Sequence, residues 1–130
     1  MNFLKAKVVG KSEELYYLDL CDNSVICKSN SYNFDVGDTI LFCIRPEKLY
    51  INPNKKLTNT INSKLVRIIY RGNNLEIGVL IGDIELRAIC ECKRWKKSHF
   101  IGGSIHIGWE VEDALLFPME MKEDIINYTN

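Results

Sequence analysis

The sequence predicts an all-β protein, a sandwich or a barrel. Short runs rich in Val, Ile, Leu, Tyr and Phe recur along the chain, turn signals separate them, and helical periodicity is hard to find. The first strands are expected over 3–9 and 14–20, joined by the turn residues around Gly10, Lys11 and Ser12. "CDNS" (21–24) turns the chain into 24–29, and "VGD" (36–38) opens 39–45, which is followed by 48–51. The polar segment "NPNKKLTNTINS" (52–63) reads as a linker with a short helical turn. Strands follow over 64–70, 74–81, 84–90, 104–110 and 114–117, punctuated by "RGNN", "IGD" and "IGG". Gly and Asn at these turns supply the positive φ that tight hairpins need. The tail 118–130 reads as a short terminal helix.

Composition narrows the class. The 130 residues are 46% hydrophobic with a formal net charge of zero, which suits one small domain with no global pull toward nucleic acid or anionic lipid. No apolar run approaches a bilayer span, and residues 1–10 lack the pattern of a signal peptide. The five cysteines lie mostly within strand-like runs, which reads as buried, reduced thiols in a cytosolic protein.

An internal repeat organises the chain. Val8, Val9, Leu15 and Leu20 match Ile68, Ile69, Leu75 and Leu80; Gly37, Ile40, Phe42, Ile44 and Glu47 match Gly102, Ile105, Ile107, Trp109 and Glu112. The longer spacing of the second copy falls in "ECKRWKKSHF" (91–100). A single domain over 1–130 is thus expected, with half-units 3–51 and 64–117, a linker at 52–63 and a tail at 118–130. Each half alone would leave an open edge and an uncovered apolar face, and pairing the halves covers both.

Chemistry-bearing motifs are sparse. Gly10–Lys11–Ser12 resembles the end of a phosphate-binding loop, but Lys5 stands where its first glycine belongs, and the flanks read as strands. Cys90 and Cys92, with His99 or His106, would need a second ligand pair to hold zinc, so no metal is expected. "KRWKK" (93–97) carries an aromatic among cations but reads as a solvated loop, and nucleic acid is not expected. No nucleophile–base pair is recognisable, so neither catalytic residues nor a cofactor are expected. Trp109 shares strand alternation with Ile105 and Ile107, which places it in the core rather than at an interface.

Three stretches in order resemble one family. "GDTILFCIRPEKLYI" (37–51), "IIYRGNNLEIGV" (68–79) and "GGSIHIGWEVEDALLF" (102–117) resemble the TOBE domain, the C-terminal regulatory domain of importer-type ABC transporter ATP-binding subunits. The spermidine/putrescine type is most similar in pattern. Val111 departs from the usual Pro and Lys64 from a frequent Gly, and no Walker A, signature or Walker B motif is present, so the ATPase activity is not carried over. The resemblance implies an OB-like or MOP-like barrel of two related half-units. It implies a homodimer that meets an ATPase domain and permease subunits at the inner face of the cell membrane, without membrane insertion. It also makes Arg45, Pro46 and Glu47 a corner closing the barrel, with Tyr70, Gly72, Trp109 and Glu112 as further structural or interaction positions. Two alternatives differ in class. One is a small-oxyanion module, since related barrels bind molybdate through backbone amides, Ser and Lys, although their compact Ser/Thr/Lys-Ala pattern is absent here. The other is an OB-type nucleic-acid binder using residues 93–97.

Overall fold

The structure, a computed structural model, describes residues 1–96 and 99–129. The strands are β1 (Asn2–Lys11), β2 (Leu15–Leu20), β3 (Asn23–Lys28), β4 (Thr39–Ile44), β5 (Tyr50–Ile51), β6 (Asn59–Tyr70), β7 (Asn74–Ile81), β8 (Ile84–Glu91), β9 (Ser104–Trp109) and β10 (Ala114–Pro118). They form two five-stranded antiparallel sheets, ordered β10-β4-β1-β2-β3 and β5-β9-β6-β7-β8. The protein is therefore mostly β, as two half-barrel sheets, and the tail forms one short helix, α1 (Lys122–Thr129). Glu123 and Asp124 in its first turn suit the positive end of the helix dipole. Among the described residues, no helix is long and apolar enough to cross a membrane.

The two sheet orders are one order written twice. In each repeat the first strand lies between the second and the fourth, the third takes one edge, and the fifth joins the sheet of the other repeat. This exchange separates the compact units from the half-units 3–51 and 64–117. The units are Met1–Ile44 with Glu110–Asn130, and Arg45–Trp109. The supposed linker 52–63 is also partly strand, because Asn59 to Ser63 pair with β9.

Backbone nodes fix the correspondence. Val8 N donates to Asp38 O at 2.9 Å, and Leu65 N donates to Gly103 O at 2.9 Å. Each node is followed by a bulge, between Val8 and Gly10 and between Leu65 and Arg67. Val8 thus corresponds to Leu65 and not to Ile68. Val8 faces Leu18 as Leu65 faces Val79, so Leu20 corresponds to Ile81 and not to Leu80. The burial agrees: Leu20 and Ile81 are buried, and Leu80 is intermediate. The hairpin β6–β7 is longer beyond its bulge, and matching by residue type slid along that extension; a one-residue slip in a strand exchanges its faces. The matches in the other part of the repeat hold. Ile40, Phe42 and Ile44 occupy the places of Ile105, Ile107 and Trp109, and all six are core residues no more than 2% exposed.

The bulges are packed in opposite senses. Gly10 lies beneath the Tyr17 ring, whereas at the same node Gly78 lies beneath Arg67, whose guanidinium pairs with Glu85 at 3.1 Å. A Cβ on Gly78 would stand 2.8 Å from Arg67 Cβ and 3.1 Å from Glu85 Oε2. Gly78→Ala is expected to lower the melting temperature by displacing the Arg67–Glu85 pair. An unchanged melt would show that the bulge yields freely.

Burial sorts the thiols. Cys27 and Cys43 are 0% exposed, and burial pushes both thiols up to about 12. A raised folded-state pKa favours the fold while the group stays protonated in both states. This contribution is full below the ordinary value of 9.0 and is lost as pH rises toward about 12. Cys21, Cys90 and Cys92 are only partly covered. A thiol reagent at neutral pH is expected to label these first, and Cys27 and Cys43 only on unfolding.

Candidate functional site

The chain changes unit at the corner that the sequence singled out. Strand β4 stops at Ile44, and Pro46–Lys48 form one 3-10 turn with Pro46 at its start, closed by Lys48 N donating to Arg45 O at 3.0 Å. Proline suits this place because its φ is preset and it needs no acceptor. The strand does not continue, so Arg45 and Glu47 share no strand face. Both are exposed, and no ion pair joins them among the described residues. The second crossing repeats the joint. Asp113 N donates to Glu110 O at 3.0 Å, and Glu110 N donates to Asp113 Oδ2 at 2.9 Å, with Glu112 exposed in the turn.

The remaining expected positions are dispersed. Trp109 is fully buried, as its alternation implied. Tyr70 is 72% exposed at the end of β6, beside Gly72 (φ +85°) in the β6–β7 turn. Arg45, Glu47, Tyr70 and Glu112 share no hydrogen bond or ion pair among the described residues. Lys11 donates to Phe34 O at 3.1 Å and pairs with Asp35 at 3.3 Å, which occupies it as a turn anchor. Saturable ATP binding that depends on Lys11 is therefore not expected in a titration. Among the described residues, no cluster of three or more His, Cys, Asp or Glu is placed to hold a metal. Of the basic run, Lys97 lies outside the described residues. The Trp95 ring packs 4.5 Å from His99 instead of standing free for a base.

The groups that do converge lie around the segment after β5. Gly108 of β9 faces both Tyr50 and Thr60. A Cβ there would stand 2.8 Å from Asn59 O and 2.9 Å from Leu57 Cδ1. The missing side chain lets Leu57, 3% exposed, plug the face of β9 that also carries His106. The other end of the segment is held by Asn52, whose φ is +42°. Asn52 N donates to His106 O at 2.8 Å, and Oδ1 accepts from His106 N at 2.9 Å. Nδ2 lies 2.7 Å from His99 Nε2.

Between these anchors opens a cleft of about 850 Å³. Lys55, Lys56 and Lys96 supply cations, Thr58 and Thr60 supply hydroxyls, and His106 lies on the strand beneath; among the described residues, no carboxylate lines it. Like charges gathered on one concave wall attract an anion more than the neutral total suggests. Sequence reasoning missed this site. Its signals were "NPNKK" and the extra length of 91–100, which brings Lys96 and His99 to the same place.

The matching corner of the other unit is filled. Phe117 stands at the position of Asn52, and Phe34 stands three residues before Gly37 as His99 stands three before Gly102. Tyr32 packs against Phe34 at 6.4 Å and Phe117 at 5.9 Å. One unit seals this corner with aromatic rings, and the other makes it polar.

Two crossed-over five-stranded half-barrels of this order define an OB-like, MOP-like fold. Residues 42–117 match the TOBE domain, and the chain belongs to that family. No curated protein sequence matches it. Among solved structures it is similar in fold to ModG, a cytoplasmic molybdate-binding protein determined with molybdate bound. The TM-score is 0.76 at 13% sequence identity, over 90% of this chain and 95% of that one.

Proposed function

We propose that this chain is a small-oxyanion-binding module that takes a tetrahedral dianion such as molybdate or sulfate in the basic cleft. The carrying observation is the convergence of Lys55, Lys56, Lys96 and the Thr58 and Thr60 hydroxyls with no carboxylate among them. A small dianion needs cations for charge and short donors for its oxygens. The likeness to ModG over nearly the whole of both chains supports the reading. Calorimetry with molybdate, tungstate, sulfate and phosphate tests it. Saturable binding is expected, weakening as salt is added. Replacing the three lysines by alanine should lower the affinity by at least about tenfold. Binding unchanged by that substitution would sink the cleft assignment.

Family membership favours a second reading, a regulatory domain accompanying an ABC importer's ATP-binding subunit. In that role two copies would hold ATPase subunits together beside the permease, and polyamine transport would be the activity served. A cleft lined by ammonium groups is unsuited to a polyamine. Spermidine binding in the same calorimeter would turn the choice toward this reading.

A further inference from the structure

The amide of Asn52 serves two partners, and together they fix its chemistry. His106 N is a backbone donor, so the oxygen 2.9 Å away is the acceptor Oδ1. Nδ2 then faces His99 Nε2 at 2.7 Å. An amide nitrogen only donates, so Nε2 accepts, and the neutral ring carries its proton on Nδ1. Nδ1 is buried and has no hydrogen-bond partner among the described residues. A proton added at Nε2 would set donor against donor. Rotating the Asn52 amide to receive it would turn Nδ2 toward His106 N, again donor against donor. Asn52 therefore serves His106 together with neutral His99, and not together with the imidazolium.

The surroundings do not offset the added charge. The small pocket around His99 is lined by the Cys90 thiol, Arg94, Lys96 and the Trp95 ring, with His106 beyond Asn52, and it contains no carboxylate among the described residues. The other unit has Phe34 and Phe117 at the corresponding places, so the titratable version belongs to the unit that carries the cleft.

We propose that His99 is a pH-sensitive latch on the segment that forms the cleft. Neutral, it holds Asn52 on β9; protonated, it releases Asn52 and with it the edge of the cleft. Histidine suits such a device because gaining a proton turns its accepting ring nitrogen into a second donor. The latch as regulation rests on the oxyanion reading; the latch as a structural device does not.

Nitrogen-15 NMR of the full chain from pH 8 to 5 tests it. Neutral His99 is expected as the Nδ1–H tautomer, and the hydrogen-exchange protection of the His106 amide should fall several-fold as His99 titrates. Asn52→Asp offers two acceptor oxygens, so it should keep that amide protected at acid pH. His99→Gln supplies an acceptor at every pH and should abolish the transition, which separates it from titration of the His106 ring. A neutral Nε2–H tautomer, or the same transition in either variant, would overturn the latch. Molybdate titrations at both ends of the range add the functional arm, with a shallower pH dependence expected in His99→Gln. An equal pH dependence there would overturn the regulatory role. No molybdate binding at either pH would overturn the oxyanion reading, and the NMR result would still decide the latch.

Discussion

Replacing Trp109 by alanine is expected to destabilise the protein by about 3–5 kcal/mol. Trp109 is the largest of the fully buried side chains, and it shares its face of β9 with Ile105 and Ile107. Removing the indole leaves a large void, because the neighbouring strands are held in register by β6 and cannot close over it. Small domains hold about 5–15 kcal/mol in total, so the variant should melt far lower or fail to fold at ordinary temperature. Thermal melts with sedimentation check this. An unchanged melting temperature with loss of self-association would instead make Trp109 an interface residue.

Gly108→Ala is expected to damage the fold and the cleft together. The new methyl carbon would lie 2.8 Å from a backbone oxygen, Asn59 O, which cannot swing aside. It would also lie 2.9 Å from Leu57 Cδ1, which can move only by leaving its place. Overpacking of this kind costs about 1–3 kcal/mol. Because Leu57 anchors the segment carrying Lys55 and Lys56, molybdate affinity should fall even where the variant remains folded. Leu57→Ala provides the complement, removing the plug without the clash. Loss of affinity in Gly108→Ala with normal binding in Leu57→Ala would argue against Leu57 as the anchor.

Much of the fold was legible because strands announce themselves. The alternation in "SIHIGW" placed Ile105, Ile107 and Trp109 on one face, and the matching run "TILFCI" placed their counterparts in β4. The exchange of the fifth strands was not legible. Tyr50 and Ile51 read equally well as the end of their own repeat, and only pairing with β9 shows which sheet they join. The slip at Leu20 has the same origin, since an extended hairpin preserves residue type while moving the register. The corner at Arg45–Pro46–Glu47 was legible as a joint because proline limits what the backbone can do. The cleft was hidden for a different reason. Lys55–Lys56, Lys96 and His106 come from three separate segments, none a motif by itself; a glycine and a buried leucine hold the first against β9, and the extra length of 91–100 brings in the second. The value of Gly108 lies in the side chain it makes room for, Leu57.

The most direct test of the oxyanion assignment is an anomalous-difference map from crystals grown or soaked with tungstate at low salt. The expected result is a peak in the cleft, within hydrogen-bond reach of the Thr58 or Thr60 hydroxyl and flanked by Lys55, Lys56 and Lys96, which disappears when those lysines are replaced by alanine. An empty cleft with tungstate bound elsewhere, or none bound in crystals where the cleft is open to solvent, would contradict it.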